Sequence, residues 1–406
     1  MRIGVVGLGY VGLVTAAVLA KVGHEVRGVD VDQGKVERLR KGKAPFFEPG
    51  LAPLLVESGL SFSTDYSSLQ DVDITFIAVS TPTVGGKINL DHVLSASKSL
   101  SQVLRRDSVV VLKSTVVPGT ARRVRQITGR EVVSNPEFLR EGSAVEDTLH
   151  PDRVVVGSFT KEAGDLVESI WAFTKAPVIR VNPEEAEMIK YAANSFLALK
   201  VSFINEVANL CERLPGCDVR SVAKALGLDK RISPHFLNAG LGWGGSCFPK
   251  DTAAFLAFAS EMGEELRTVR AAVEVNRERP LRAVKVLKSM MGDLKGRKVC
   301  VLGLAFKPNT DDTRESVALK VVQILEEEGA SVEAYDPKAR VEGVKVSGTL
   351  QECIRDAEGV IIATEWEDFK GIEGLLRGKY VVDGRRVLDP SLMDHTKFRA
   401  VGLGAP

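Results

Sequence analysis

Cys247 lies in Gly242-Trp-Gly-Gly-Ser-Cys247-Phe-Pro-Lys250-Asp251, a glycine-rich turn with a lysine and an aspartate three and four positions beyond the sulfur. A thiol on a tight backbone path with a cation beside it can ionise near neutrality and act as a nucleophile, the charge coming from Lys250 or Lys190. The other reading of the same turn is a buried, inert thiol. Asp251 either serves the thiol or caps a helix running from Thr252, because Pro-Lys-Asp-Thr also has the form of a helix start. Lys190 and Asn194 are four apart on an expected helix and share a face; they either converge on one ligand or lie on a solvated stripe. Glu137, Arg140 and Glu141 follow a Pro-broken strand end, where α/β sheets place their sites, although a capped helix with a Glu–Arg pair has the same pattern.

A second chemistry is written at the start of the chain. Gly7-x-Gly9-x-x-Gly12 follows an apolar strand and opens a helix, and Asp30 ends the next strand. That context makes a dinucleotide fingerprint: the glycines let a pyrophosphate approach helix amides, and the carboxylate bonds ribose hydroxyls while repelling a 2′-phosphate. NAD is favoured over NADP.

These residues need elements to hold them. Apolar runs at Arg2 to Val6, Glu25 to Val29, Ile74 to Val79, Val109 to Leu112, Glu131 to Val133 and Val154 to Val156 alternate with helical stretches, which implies a doubly wound sheet over roughly the first 180 residues. Asn182-Pro-Glu-Glu starts a long helix running to about Leu214, with Met188, Ile189, Ala192, Phe196, Leu199, Phe203, Val207 and Leu210 at helical spacing. So wide an apolar face predicts burial by a second copy or by flanking domains. From Gly296 the first pattern returns without its glycine fingerprint, implying a second parallel α/β domain with a different ligand. The expected fold is α/β: two Rossmann-like, doubly wound parallel-sheet domains (1–182 and 294–406) joined by a central helical domain (183–293).

Composition narrows the partners. With 54 basic against 53 acidic side chains, net +1, no global field would hold nucleic acid or a membrane surface. The apolar start is a strand, turn and helix, neither a signal peptide nor a membrane span. The five cysteines show no C-x-x-C pair, so a reduced cytoplasmic protein with no disulfide frame and no metal site is expected. Sparse Asn and Gln beside many charges hint at a heat-adapted source.

Several ordered segments carry a resemblance: Lys113-Ser-Thr115-Val, Asn135-Pro-Glu-Phe-Leu-Arg-Glu-Gly142, His150-Pro-Asp-Arg-Val-Val-Val-Gly157, Glu187-Met-Ile-Lys190-Tyr-Ala-Ala-Asn194, the Cys247 turn, Leu304-Ala-Phe-Lys307-Pro-Asn-Thr-Asp-Asp-Thr-Arg314-Glu-Ser and Asp383-Gly-Arg385-Arg-Val. Over nearly its whole length the chain resembles the nucleotide-sugar 6-dehydrogenases of the UDP-glucose/GDP-mannose dehydrogenase family. The resemblance implies four-electron oxidation of a sugar C6 alcohol to a carboxylate by two NAD in succession. UDP-glucose is the expected UDP-sugar, on the likeness of His150-Pro-Asp-Arg153 to that branch; GDP-mannose and UDP-N-acetylhexosamines are rivals, followed by two-electron hydroxyacid dehydrogenation and non-catalytic sugar-nucleotide binding.

By the same resemblance Cys247 is the nucleophile and Lys190 and Asn194 stabilise the oxyanion. Asp251 handles protons and activates water, and Glu137 with Thr115 positions water or the alcohol proton. The NAD site would take Gly7, Gly9, Val11, Gly12, Asp30, Lys35, Thr81, Thr115, Glu141, Lys250 and Arg314. The sugar nucleotide would meet Glu137, Phe138, Leu139, Arg140, Glu141, Lys190, Asn194, Phe236, Leu237, Asn238, Ala239, Gly240, Gly244, Lys307 and Arg385. Arg231 would reach a neighbouring subunit's substrate in a homodimer built on the long helix, and the site would lie between the two α/β domains. Trp243 stands where the family more often has Phe, which predicts a changed pocket wall with the chemistry intact.

Overall fold

Short runs of Val and Ile form the strands, because β-branched side chains suit a pleated surface covered on both faces. The computed structural model describes residues 1–56 and 59–405, and Cα packing divides the chain into two units: Met1–Ala193 with Ala253–Met262, and Asn194–Thr252 with Gly263–Pro406.

In the first unit β1 (Arg2–Val6), β2 (Glu25–Val29), β3 (Leu60–Ser63) and β4 (Ile74–Ile77) are followed by a two-stranded hairpin of β5 (Thr83–Val84) and β6 (Lys87–Ile88), and then by β7 (Val109–Leu112), β8 (Glu131–Ser134), β9 (Val154–Ser158) and β10 (Val178–Val181). Eight of them form one sheet in the order β10-β9-β8-β7-β4-β1-β2-β3. All neighbours are parallel except β8 and β9, an antiparallel step that the alternating pattern did not reveal. Strand order reverses between β1 and β4, which is where doubly wound sheets open a ligand crevice. The helix Tyr10–Lys21 carries an unbroken buried run from Gly12 to Ala20. A helix apolar all round belongs inside a domain, and this one carries the glycine fingerprint at its start.

The second unit holds a five-stranded parallel sheet of β11 (Lys298–Leu302), β12 (Ser331–Tyr335), β13 (Gly359–Ile362), β14 (Tyr380–Asp383) and β15 (Phe398–Ala400), in the order β12-β11-β13-β14-β15. The predicted echo of the first sheet extends to one hydrogen bond. Asp30 at the end of β2 accepts the N–H of Leu8 at 2.7 Å, and Asp336 after β12 accepts the N–H of Leu304 at 2.7 Å. Asp336 is then sealed: the N–H groups of Ala305, Lys338 and Ala339 and the Trp366 indole N–H fill its remaining acceptor positions. Asp30 keeps a face toward a cavity. The same turn opens on a cavity in one sheet and is a closed joint in the other.

The long helix runs Pro183–Cys211, and the Glu185 carboxylate reaches back to the N–H of Asn182 at 2.7 Å, half of a capping box. Within one chain, flanking domains do not cover its apolar face. Phe196, Phe203 and Leu210, two turns apart in series, are 62%, 51% and 64% exposed. Glu187, Lys190, Asn194, Ser195, Ser202 and Asn205 are buried. No described helix is long and apolar enough to cross a membrane.

The cysteine expectation is corrected. Cys300 on β11 is joined to Cys353, and Cys211 to Cys217 at the end of the long helix, which leaves Cys247 as the only cysteine outside a disulfide among the described residues. Spacing could not show this, because Cys300 and Cys353 are brought together by the pairing of β11 with β12 and the helix that follows. Intracellular proteins of hyperthermophiles are a known disulfide-rich class, so the bonds do not by themselves imply export. Thiol titration of the denatured, unreduced protein should therefore find one reactive thiol per chain and five after reduction. Five before reduction would contradict the pairing.

Candidate active site

In the first unit the glycine turn leaves a cradle. A Cβ at Gly12 would fall 1.8 Å from the Gly7 carbonyl oxygen, and one at Gly7, where φ is +90°, would fall 2.8 Å from the Ala78 backbone. At Gly9 a Cβ would meet nothing within 4 Å. Gly7 and Gly12 are thus required by packing, while Gly9 faces open space at the first turn of the helix, where amide N–H groups attract phosphate. Gly7, Gly9, Asp30 and Lys35 line one cavity of ≈400 Å³, together with Tyr66, Ser80 and His92. Lys35 Nζ lies 2.8 Å from Asp30. Burial alone would raise the Asp30 carboxyl, but Lys35 and the N–H groups of Asp32 and Leu8 hold it below its usual range. An ionised Asp30 beside an open glycine cradle fits NAD. Tyr66, Ser80 and His92 carry no spacing signal and were missed. Val11, Thr81, Thr115 and Glu141 lie outside this cavity's lining, although Thr81 Oγ1 donates to the Thr115 carbonyl at 2.9 Å, tying those two buried threonines together.

A second cluster of the same unit surrounds Glu137. Lys190 Nζ donates to the Glu137 carboxylate at 2.8 Å and to its carbonyl at 2.7 Å, with both side chains at most 5% exposed. Leu139 N–H adds a third bond at 2.7 Å. Burial would push Glu137 up, yet Lys190 and that N–H keep it below its normal range. Removing one partner of such a pair strands a charge and costs roughly 3–5 kcal/mol. The Phe138 ring lies under both Lys190 and Arg153. Glu137, Phe138, Leu139 and Arg140 line a ≈90 Å³ cavity with Lys113 and Thr15, and Arg140 is further held by Asp147.

Lys113, on the Lys113-Ser-Thr115 segment, is buried against this cluster. Its ammonium donates to Asn135 Oδ1 at 3.1 Å and lies 4.6 Å from the centre of the Trp171 ring. Burial pulls it down to about 7, with Glu137 opposing the shift and Lys190 adding to it.

In the second unit glycines press the cysteine turn into place. A Cβ at Gly244 would lie 2.2 Å from the Glu315 carbonyl oxygen, and one at Gly245, where φ is +83°, would lie 2.7 Å from the Phe306 ring. Trp243 turns inward: its indole N–H donates to Ser202 Oγ at 3.0 Å, and its backbone is bracketed by Asn276. The extra N–H of Trp over Phe is therefore satisfied by the long helix. Cys247 is half-buried, immediately before the helix Phe248–Glu261. The helix starts earlier than expected, so Asp251 is not its cap but lies in its first turn, fully buried. Asn194 Nδ2 donates to Asp251 Oδ2 at 2.6 Å, and Lys250 Nζ lies 2.8 Å from Oδ1. The resemblance assigned Lys250 and Arg314 to NAD; Lys250 is engaged with Asp251, and Arg314 with Asp312 at 2.6 Å.

Leu237, Asn238, Ala239 and Arg385 line a cavity of ≈390 Å³, and a Cβ at Gly240 would meet Arg385 Nη1 at 2.7 Å. Phe236 packs its ring near Phe248, and Lys307 stands over the Phe306 ring. Arg231 is 88% exposed and bonded to Asp229.

Lys113 generates a pH prediction. In the unfolded chain a lysine titrates near 10.4. Below pH 7 both states hold the proton; from about pH 7 to about 10.4 the unfolded chain holds more protons than the native one, so this group makes stability rise with pH, by at most about 1.4 kcal/mol per unit. Relative to Lys113→Met, the wild type should gain stability between pH 7 and 9.5 in urea denaturation. A flat or falling difference would contradict a buried, depressed Lys113.

Comparison with known proteins agrees with this architecture. Residues 1–175, 184–278 and 300–390 match, in order, the NAD binding, central and UDP binding domains of the UDP-glucose/GDP-mannose dehydrogenase family. The chain is 42% identical to UDP-glucose 6-dehydrogenase TuaD of Bacillus subtilis, over all of this chain and 93% of that protein. It is also 42% identical to UDP-glucose 6-dehydrogenase AglM of Haloferax volcanii, over 96% of this chain and 97% of that one. A solved UDP-glucose dehydrogenase from the hyperthermophilic archaeon Pyrobaculum islandicum superposes with a TM-score of 0.93 at 44% identity, covering 99% of this chain and 98% of the other. With an open glycine cradle for NAD, a thiol at a helix start and full-length matches in all three domains, the chain belongs to the UDP-glucose/GDP-mannose dehydrogenase family of NAD-dependent nucleotide-sugar dehydrogenases.

Proposed function

We propose that this enzyme oxidises UDP-glucose to UDP-glucuronate, with Cys247 carrying the sugar between two oxidations. The observation that carries the reading is the placement of Cys247 at a helix start, one turn before an Asp251 that Asn194 and Lys250 hold in place. Full-length relatives that act on UDP-glucose supply the substrate. When bound, NAD supplies the hydride acceptor.

An alcohol loses one hydride and one proton to become an aldehyde, but the aldehyde carbon must become tetrahedral before a second hydride can leave. The Cys247 thiolate adds to that carbon, forming a C–S bond and an oxyanion that takes a proton or a hydrogen-bond donor. First-turn amides of the helix Phe248–Glu261 favour negative charge at the sulfur. Lys190 and Asn194, one helical turn apart, are the donors for the oxyanion. Loss of the second hydride leaves a thioester. Asp251, oriented by Asn194 and Lys250, accepts a proton from the attacking water as the C–S bond breaks and the Cys247 thiolate leaves. Glu137 and Thr115 position the water or alcohol proton. Lys307 and Arg385 are the diphosphate partners. A cytoplasmic location belongs to the same reading.

The reading includes a homodimer through the long helix. Phe196, Phe203 and Leu210 form an exposed stripe that a second copy would cover, and the exposed Arg231 is the group offered to a neighbour's substrate. Phe203→Glu should convert the dimer to monomer in light scattering; a variant that stays dimeric places the interface elsewhere.

Turnover should yield two NADH per UDP-glucose, with GDP-mannose and UDP-N-acetylhexosamines much poorer substrates in the same panel. Cys247→Ser should lose carboxylate formation by about three orders of magnitude or more. One NADH per sugar, or a fully active serine variant, would remove the thioester route.

A further inference from the structure

The loop that carries Gly240 has a second side. Away from the Arg385 cavity, Leu241 lines a separate cavity of ≈230 Å³ in the second unit. The turn that follows the long helix, the helix Arg267–Met291 and strand β15 form its walls. Four arginines face it, Arg213, Arg279, Arg282 and Arg399, against one carboxylate, Glu212. Glu212 is committed, because it pairs with Arg282 and accepts the N–H of Gly402. The remaining three guanidinium groups have no ion-pair partner among the described residues. Between them Val286 and Val401 supply apolar surface.

Arg279 makes the imbalance costly. It is 2% exposed, and its bonds go to neutral acceptors: Nε to the Gly240 carbonyl at 2.9 Å and Nη1 to Asn209 Oδ1 at 2.6 Å. Burial outweighs the attraction of Glu212, and Arg282 and Arg385 repel it further, so the guanidinium is pulled down to about 10. A buried cation in that position gains from an anion, and arginine clusters suit the planar oxygens of phosphate or carboxylate.

We propose that this cavity is an effector site for a small molecule with a phosphate or carboxylate head and a compact apolar body, coupled to the sugar-nucleotide loop through Arg279. An anion held by Arg213 and Arg399 fixes Arg279; Arg279 fixes the Gly240 carbonyl; and Gly240 lies against Arg385 on the loop's other side. The coupling to substrate rests on the function proposed above, whereas binding of the anion does not.

The test uses the full chain saturated with UDP, so that the diphosphate partners are occupied, and phenyl phosphate as the probe, titrated calorimetrically with ionic strength matched by sodium chloride. One phenyl phosphate should bind per chain, more tightly than inorganic phosphate, and Arg213→Ser/Arg399→Ser should weaken it at least tenfold. No saturable binding, or equal binding by the double variant, overturns the site. In turnover assays without UDP, phenyl phosphate should lower KM for UDP-glucose about fivefold in the wild type and not in the double variant, whose own kinetics match the wild type. Binding with an unchanged KM overturns the coupling. Absence of turnover on any sugar nucleotide would instead sink the proposed function and leave the calorimetric result standing.

Discussion

Burying an ion pair on one long helix is the constraint from which the rest follows. Lys190 and Glu137 are both withdrawn from water, and an ammonium and a carboxylate can be held there only if each finds the other and their remaining donors and acceptors are met. The Glu137 carbonyl and the Leu139 N–H meet them. Three residues earlier, Glu187 accepts the N–H groups of Gly119 and Ala121 at the start of another helix. One turn later, Asn194 fixes Asp251. A single face of Pro183–Cys211 thus orients polar groups in both units, and hydrophobic packing could not have given those groups their directions. The opposite face is left apolar and exposed.

The two sheets show how one local solution supports different roles. Each places an aspartate after its second strand to receive the amide of a glycine turn, a bond that pins the turn against the strand ends. Trp366 and three further N–H groups, those of Ala305, Lys338 and Ala339, close the second copy, so Asp336 is structural. The first copy lacks such a lid, so Asp30 keeps a face on the cavity. Divergence after duplication of a strand, turn and strand would leave this signature.

Much of this was legible because it is local. Glycines that must adopt positive φ or admit a neighbour's backbone, the strands of β-branched residues, and the cysteine turn all declare themselves within ten residues. What escaped notice depends on tertiary placement. Helical spacing identifies an apolar face without saying whether flanking domains or a second copy covers it, so Phe203 could belong to either and Lys190 could read as solvent-facing. Lys113 became visible only when Asn135 and Trp171 closed around it, and Tyr66 and His92 only when separate crossovers met at the NAD cavity. The Cys300–Cys353 bond depends on strand pairing across more than fifty residues. The antiparallel β9 is invisible for the same reason, since direction leaves no trace in composition.

The central claim is that Asp251, held by Asn194 and Lys250, releases an acyl group from Cys247. Intact-mass and peptide mass spectrometry of Asp251→Asn after brief exposure to UDP-glucose and NAD tests it most directly. The account predicts a UDP-glucuronyl adduct accumulating on the peptide that contains Cys247, and its loss on treatment with hydroxylamine. An unmodified Cys247 in a variant that has stalled after producing two NADH per active site, or an adduct on another residue, would contradict it.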